Sequence, residues 1–346
     1  MKTNLLDRIT TLQSEDEFSG TVLVTNDKGI LAEVSYGYAN RSDQFKNRTS
    51  TRYGIASGCK LFTGIAICQL VEEGRLSFDL KLKECLNVDF PQFDEEITIH
   101  HLLTHTSGIP DYFDEEVMVD FEEMWIKHPM YHIRSLKDFL PLFQDQPMKF
   151  KAGERFHYNN AGYILLGLIV EQASKCNFSD YIQTHIFDKA GMGDSGYFEL
   201  DALPANTALG YIDHPDGTWK TNIYSLPAKG GSDGGAFVTV KDMAKLWDAL
   251  MNNVLLSEVT TQQLLTAHVR VDDEDNFYGY GLWIKKKGGE IQKYHVMGYD
   301  PGVSFHSAFY PETLNRVVVC SNKSEGAYGI MKGIEAELHV GSSISE

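Results

Sequence analysis

The sequence predicts an α/β (α+β) protein in which an antiparallel sheet flanked by helices is interrupted by a mostly helical insertion. Three observations carry this. β-rich runs separated by turn residues occupy both ends of the chain, helical apolar spacing fills the middle, and no repeat or low-complexity linker divides it. Strands at both ends imply one discontinuous domain, residues 1–59 with 271–346, and a mostly helical domain of residues 60–270. A cleft between the two is the natural ligand site.

The elements follow in order. Near the N-terminus Leu5, Ile9 and Leu12 keep a spacing close to helical. The stretch from Gly20 to Asn40 holds two β-rich runs separated by Asn26-Asp27-Lys28-Gly29, a hairpin signal. From Lys60 to about Glu73, Leu61, Phe62, Ile65, Ala66, Leu70 and Val71 read as a helix, which Gly74 closes. Gly162 to Ser174 is a second helix. Met243 to Leu250 is a third, opened by Thr239-Val240-Lys241-Asp242 in capping-box form. The last third returns to strands, with GYGLWIKKK, a Gly288-Gly289 turn, VSFHSAFYP and RVVVCSN forming an antiparallel meander. An amphipathic tail runs from about Tyr328 to Val340.

Composition narrows the function. With 346 residues, 42% of them hydrophobic and 23% charged, the chain can bury a large core. A formal net charge of −17 disfavours nucleic acid and anionic membrane surfaces, which would repel it. No apolar run is long enough to span a bilayer, and the N-terminus lacks a secretory-signal pattern, so a cytoplasmic location is expected, with a trimmed secreted form as the alternative. The five cysteines are odd in number, scattered and without a CxxC pair, which fits reduced thiols rather than a zinc site or disulfide framework.

Chemistry concentrates in two short motifs. Ser57-Gly58-Cys59-Lys60 lies where an extended segment, Arg52 to Ala56, meets the first long helix. A serine there faces the unpaired N–H groups of a helix N-terminus, which can stabilise an oxyanion. Lys60, three residues on, is close to one helical turn away and can reach the serine oxygen; desolvation would let its amine accept a proton. Alone the pattern is weak, because an N-capping serine with a surface lysine looks the same. Tyr158-Asn159-Asn160, just before a helix, is the second motif. Tyr158 and Asn160 are two apart, so an extended backbone projects both to one side. A phenol can relay protons and an amide can orient a lysine, with Asn160 also serving as the helix cap.

With these motifs the chain resembles the serine β-lactamase and penicillin-binding-protein superfamily, specifically its class C β-lactamase-like branch. The likeness extends through ITIHHLLTHTSGIPDY, GERFHYNNAGYILLGLIVE, IFDKAGMGDSGYF and GGAFVTVKDMAKL in the same order as in the family. It implies a β-lactamase/transpeptidase-like fold and a serine hydrolase that acts through an acyl-enzyme on Ser57. Small amides, D-amino-acid peptides or esters would be substrates, and β-lactams acylating ligands. Alternatives are a cytosolic esterase of the same fold or a catalytically weak penicillin- or peptide-binding protein. By the same resemblance Lys60 is the partner base, Tyr158 the proton shuttle and Asn160 a positioning residue. The backbone N–H groups of Ser57 and Tyr299 would form the oxyanion hole. No metal or cofactor is implied.

The family's third motif, Lys or His-x-Gly, is where the chain departs. Anchoring Tyr294-His295-Val296-Met297-Gly298 on Gly298 and Gly302 puts Val296 at the basic position, with His295 one residue early. One step along a strand flips a side chain to the other face. Either a bulge returns His295 to the cleft beside Gly298 as a substrate-positioning group, or the chain lacks that cation. The cation helps to hold a substrate carboxylate, so peptidase or β-lactamase action depends on it more than esterase chemistry does. His101 and His105 are four apart on an expected helix, a zinc-compatible spacing without the glutamate of an HExxH motif. The acidic runs Asp111 to Glu123 and Asp272 to Asp275 read as solvated loops or helix faces, and Tyr112, Phe113 and Trp125 as residues of the cleft or the core.

Overall fold

The computed structural model describes residues 5–342 apart from 16 and 119. Its centre is an eight-stranded antiparallel sheet. The strands are β1 (Gly20–Asn26), β2 (Gly29–Tyr36), β3 (Val269–Arg270), β4 (Asn276–Tyr278), β5 (Trp283–Lys287), β6 (Glu290–Asp300), β7 (Val303–Tyr310) and β8 (Asn315–Ser321). They run in the order β2-β1-β8-β7-β6-β5-β4-β3. The N-terminal hairpin thus docks beside the last strand: β1 pairs with β8 from Gly20↔Ser321 to Thr25↔Arg316.

The longer helices are α1 (Leu5–Glu15), α2 (Lys60–Glu72), α3 (Asn160–Ser174), α4 (Val240–Met251) and α5 (Ala327–Ser342); α1, α4 and α5 pack on the sheet, and α2 and α3 pack on each other. Period-two alternation sorts the strand residues between two cores. Val317 and Val319 join Ile9, Leu12, Ile330 and Ile334 under α1 and α5. Val318 and Cys320 point the other way, into the larger core that contains α2, α3 and α4. Every residue of β8 is buried, as expected for a strand covered on both faces.

The helix α2 is the hub of the larger core. Residues Lys60 to Leu70 are all buried, and its apolar side chains point in every direction rather than along one stripe. The helix α4 is packed onto the sheet, where Trp247 Nε1 donates to Ser307 Oγ on β7 at 2.8 Å. Its start is the capped one read from the sequence: Thr239 Oγ1 accepts from the N–H of Asp242 at 3.1 Å. The five cysteines are unpaired. Among the described residues no helix is long and apolar enough to cross a membrane.

Candidate active site

The turn that carries Ser57 is short and tightly held. Ala56–Cys59 forms a single 3₁₀ turn that runs straight into α2. Ala56 has φ +44°, in the left-handed region where a side chain is strained. The turn is pressed against β6 at Gly298, where a Cβ would lie 2.1 Å from the carbonyl oxygen of Ile55 and 2.8 Å from the nitrogen of Ser57. Only glycine fits there, so Gly298 shapes the site by letting two backbones meet.

Lys60 is 1% exposed, and a buried ammonium needs a full set of partners. It has three. Nζ donates to Ser57 Oγ, to Asn160 Oδ1 and to the carbonyl oxygen of Asp233, each at 2.8 Å. Tyr158 completes the group by a side-chain hydrogen bond with Ser57. Lys60 Nζ is 4.8 Å from the Tyr158 ring centroid. Burial, reinforced by the charge of Glu115, pushes the phenol well above its ordinary value, while the Ser57 hydrogen bond pulls the other way.

Around this group sits a supporting layer that the sequence reading did not identify. Tyr158 is stacked on Trp283, with centroids 6.0 Å apart and planes 15° from parallel, and lies 4.4 Å from the ring of His105. His105 is buried and kept neutral by that burial, and its Nδ1 accepts from the N–H of Asn159 at 3.0 Å. The short helix Ile99–Leu103 ends before His105, so His101 and His105 do not form the paired face that zinc binding would need. His101 Nδ1 instead accepts from the N–H of Thr98 at 3.2 Å.

The α3 N-terminus corrects two further expectations. Its cap is Asn159, whose Oδ1 accepts from the N–H of Gly162 at 2.7 Å; Asn160 is the first helical residue. That division leaves the Asn160 amide free for the site. Its Nδ2 donates to Asp111 Oδ2 at 3.4 Å and to the Phe113 carbonyl at 3.3 Å, which turns Oδ1 toward Lys60. Asp111, read as part of a solvated acidic run, is buried and accepts from the N–H groups of Asn160 and Ala161 at 2.7 and 3.0 Å. The N–H groups at the start of α3 draw it in. Burial still dominates and pushes its carboxyl up to about 7.

The cleft in front of Ser57 has a volume of about 590 Å³. Tyr112, Phe113, Asn160, Asp233, Tyr299 and Asp300 are among its walls; Trp125 is buried and donates from Nε1 to the Ser225 carbonyl at 2.9 Å. β5 pairs with β6 only as far as His295, leaving the end of β6 with a free edge. In the hairpin closed by Pro301-Gly302, Asp300 and Val303 are the pair next to the turn. The alternation of an antiparallel ladder then directs the N–H of Tyr299 off the free edge, toward the turn that holds Ser57.

Ser57, Lys60, Tyr158, Asn160, Gly298 and Tyr299 therefore come together, and His295 does not. Gly298 and Val296 face the nucleophile turn and the larger core. His295 alternates to the opposite face, with Lys293, His306 and Lys285 as its charged neighbours, and burial pushes its imidazole well below the ordinary range. The ladder from Tyr294 to Asp300 runs without a register shift against β7, so no bulge returns His295 to the cleft. Asp114, Glu116 and His157 lie close enough to share a cation. That position is served by Lys149, whose Nζ contacts Asp114 and lies 2.8 Å from His157 Nε2, and by Arg155 on Glu116.

A β-lactamase family model matches residues 7–339. The chain belongs to the β-lactamase family. It is a serine hydrolase of the β-lactamase and penicillin-binding-protein superfamily, with the mixed α/β fold the sequence implied. Among solved structures this β-lactamase-family chain is similar to a penicillin-binding protein from Bacillus halodurans, at 60% identity and TM-score 0.92, covering 95% of this chain and 99% of that one. It is also similar to an octameric penicillin-binding-protein homologue from Pyrococcus abyssi, at 28% identity and TM-score 0.85, over 97% of this chain and 77% of that one. Penicillin-binding protein 4* of Bacillus subtilis (strain 168) is 30% identical over 95% of this chain and 74% of its own length.

Proposed function

We propose that the protein hydrolyses small amides or esters through an acyl-enzyme on Ser57, with Lys60 as base and Tyr158 as proton carrier. The observation that carries this reading is the buried Lys60 Nζ, 2.8 Å from Ser57 Oγ and held on its other two sides by groups that only accept. When the amine is neutral it keeps two hydrogens for Asn160 Oδ1 and the Asp233 carbonyl. Its lone pair then faces Ser57, the one partner that can switch from acceptor to donor. This arrangement supports the serine as the proton source.

Ser57 Oγ bonds to the substrate carbonyl carbon as its proton passes to Lys60. The oxyanion is held by the N–H groups of Ser57 and Tyr299. Collapse breaks the bond to the leaving amine or alcohol, which takes a proton from Tyr158; burial keeps that phenol protonated and able to give it. Tyr158 is reprotonated from Lys60, and water then cleaves the ester on Ser57 by the same groups in reverse order, restoring the hydroxyl.

Val296 at the basic position of the third motif favours amides and esters over substrates recognised through a carboxylate. β-Lactams, with their strained amide, would acylate Ser57. The test is incubation with a labelled penicillin and with a fluorophosphonate, followed by peptide mass analysis. An adduct on the Ser57 peptide, absent in Ser57→Ala, is expected; no adduct from either reagent at any pH where the protein is folded would sink the assignment.

A further inference from the structure

The cleft wall beside the oxyanion position carries an acidic side chain, and Val296 stands at the basic position of the third motif. Asp300 follows Tyr299 directly and shares the inward face of β6 with Gly298 and Val296. Among the described residues its carboxylate has no hydrogen bond and no ion pair, yet it lines the cleft. Asp233, which lines the same cleft, and Glu115, exposed at its mouth and likewise without an ion pair among the described residues, are its charged neighbours. The nearby cations are committed. Lys60 Nζ is enclosed by Ser57, Asn160 and the Asp233 carbonyl, and Lys220 at the rim is 2.8 Å from Glu122. His214, also at the rim, is exposed.

We propose that Asp300 is the specificity-determining residue of this site and receives a primary ammonium group on the acyl part of the substrate, so that the preferred substrates are amides or esters of amino acids with a free amine. The inference rests on Ser57 being the acylated residue and deepens it by naming the substrate class. A carboxylate held without a partner in a cleft wall favours whatever brings a counter-charge, a proton or a substrate ammonium. An ammonium on the carbon next to the reacting carbonyl lies within reach of a residue adjacent to the oxyanion hole. A substrate carboxylate in the same place would meet the like charge of Asp233 and Glu115.

The experiment compares kcat/KM for four p-nitroanilides at pH 7: both enantiomers of alanine, the neutral isostere isobutyrate, and N-succinyl-alanine, which carries a carboxylate. The better alanine enantiomer should exceed isobutyrate by at least about 10-fold, with the succinyl compound slowest. Asp300→Asn should lower the alanine-to-isobutyrate ratio by at least about 10-fold, and Val296→Lys should raise the succinyl compound relative to alanine. A wild-type ratio near one, or a folded Asp300→Asn that keeps the wild-type ratio, overturns the proposal. If the asparagine variant does not fold, the wild-type series decides alone. A fluorophosphonate adduct on Ser57 together with a ratio near one removes the ammonium site and leaves the hydrolase; absence of both adduct and turnover removes both.

Discussion

Gly298→Ala adds one methyl group where two backbones cross, and its effect can be worked from the distances. The new Cβ would lie 2.1 Å from the Ile55 carbonyl oxygen, 2.8 Å from the Ser57 nitrogen and 2.9 Å from the Gly58 nitrogen. Real Cβ contacts do not fall below 3.0 Å, so β6 and the nucleophile turn must separate by about 0.9 Å. Every atom met is backbone, and no side chain can swing aside to absorb the shift. The two proposed oxyanion donors, Ser57 on the turn and Tyr299 on the strand, sit on opposite sides of this crossing. Separating them by that distance removes one donor from useful range, a loss of about 100- to 1000-fold in kcat. Stability should suffer less, by about 1–3 kcal/mol, as for other overpacked sites. Steady-state hydrolysis of an aryl ester gives kcat, and urea unfolding checks the fold. A folded variant with kcat within threefold of wild type would refute both the oxyanion assignment and the role given to the close contact.

Two further outcomes test other parts of the site. Tyr158→Phe keeps the ring stacked on Trp283 but removes the proton carrier; kcat for an amide should fall about 100- to 10 000-fold, with less effect on an aryl ester whose leaving group needs no proton. Equal losses on both substrates, measured in parallel, would count against proton delivery by the phenol. Asp300, pushed up to about 7 by burial and then by the charge of Asp233, binds a proton more tightly folded than unfolded. Its contribution therefore favours the fold at low pH and is lost as pH rises from about 4 to about 7. Asp300→Asn should flatten that decline and raise the melting temperature at pH 8, worth on the order of 2–4 kcal/mol at most; an unchanged pH profile in calorimetry would contradict it.

The parts of the site that were legible in the sequence are those whose geometry is local. Ser57 and Lys60 are one helical turn apart, and Tyr158 and Asn160 are two residues apart in extended chain, so secondary structure alone aligns each pair. The strands were legible too, because β1, β6, β7 and β8 alternate or are largely buried, and turn residues bound them. What the sequence hid depends on tertiary placement. Asp111 looks like the first of several solvated acids until α3 arrives to accept its carboxylate. His105 and Trp283 lie far apart in the chain and are brought together only by the aromatic cluster of Phe156, Tyr158 and Tyr278. His295 carries a basic side chain at nearly the right position, and only the unbroken register of β6 against β7 shows which face it takes. Asn159 and Asn160 are chemically identical neighbours, and nothing short of the helix start tells the cap from the ligand of Lys60.

The burial of α2 on all sides has a dynamic consequence. A helix with an exposed face can fray or tilt without disturbing its neighbours, but α2 can move only if the surrounding core opens. Its buried amides are expected among the slowest in the protein to exchange with solvent, with Lys60 on the same segment. The turn that carries Ser57 is continuous with that helix and shares its restraint. Whatever motion admits substrate and releases product must come from the loops across the cleft, while the serine itself stays still.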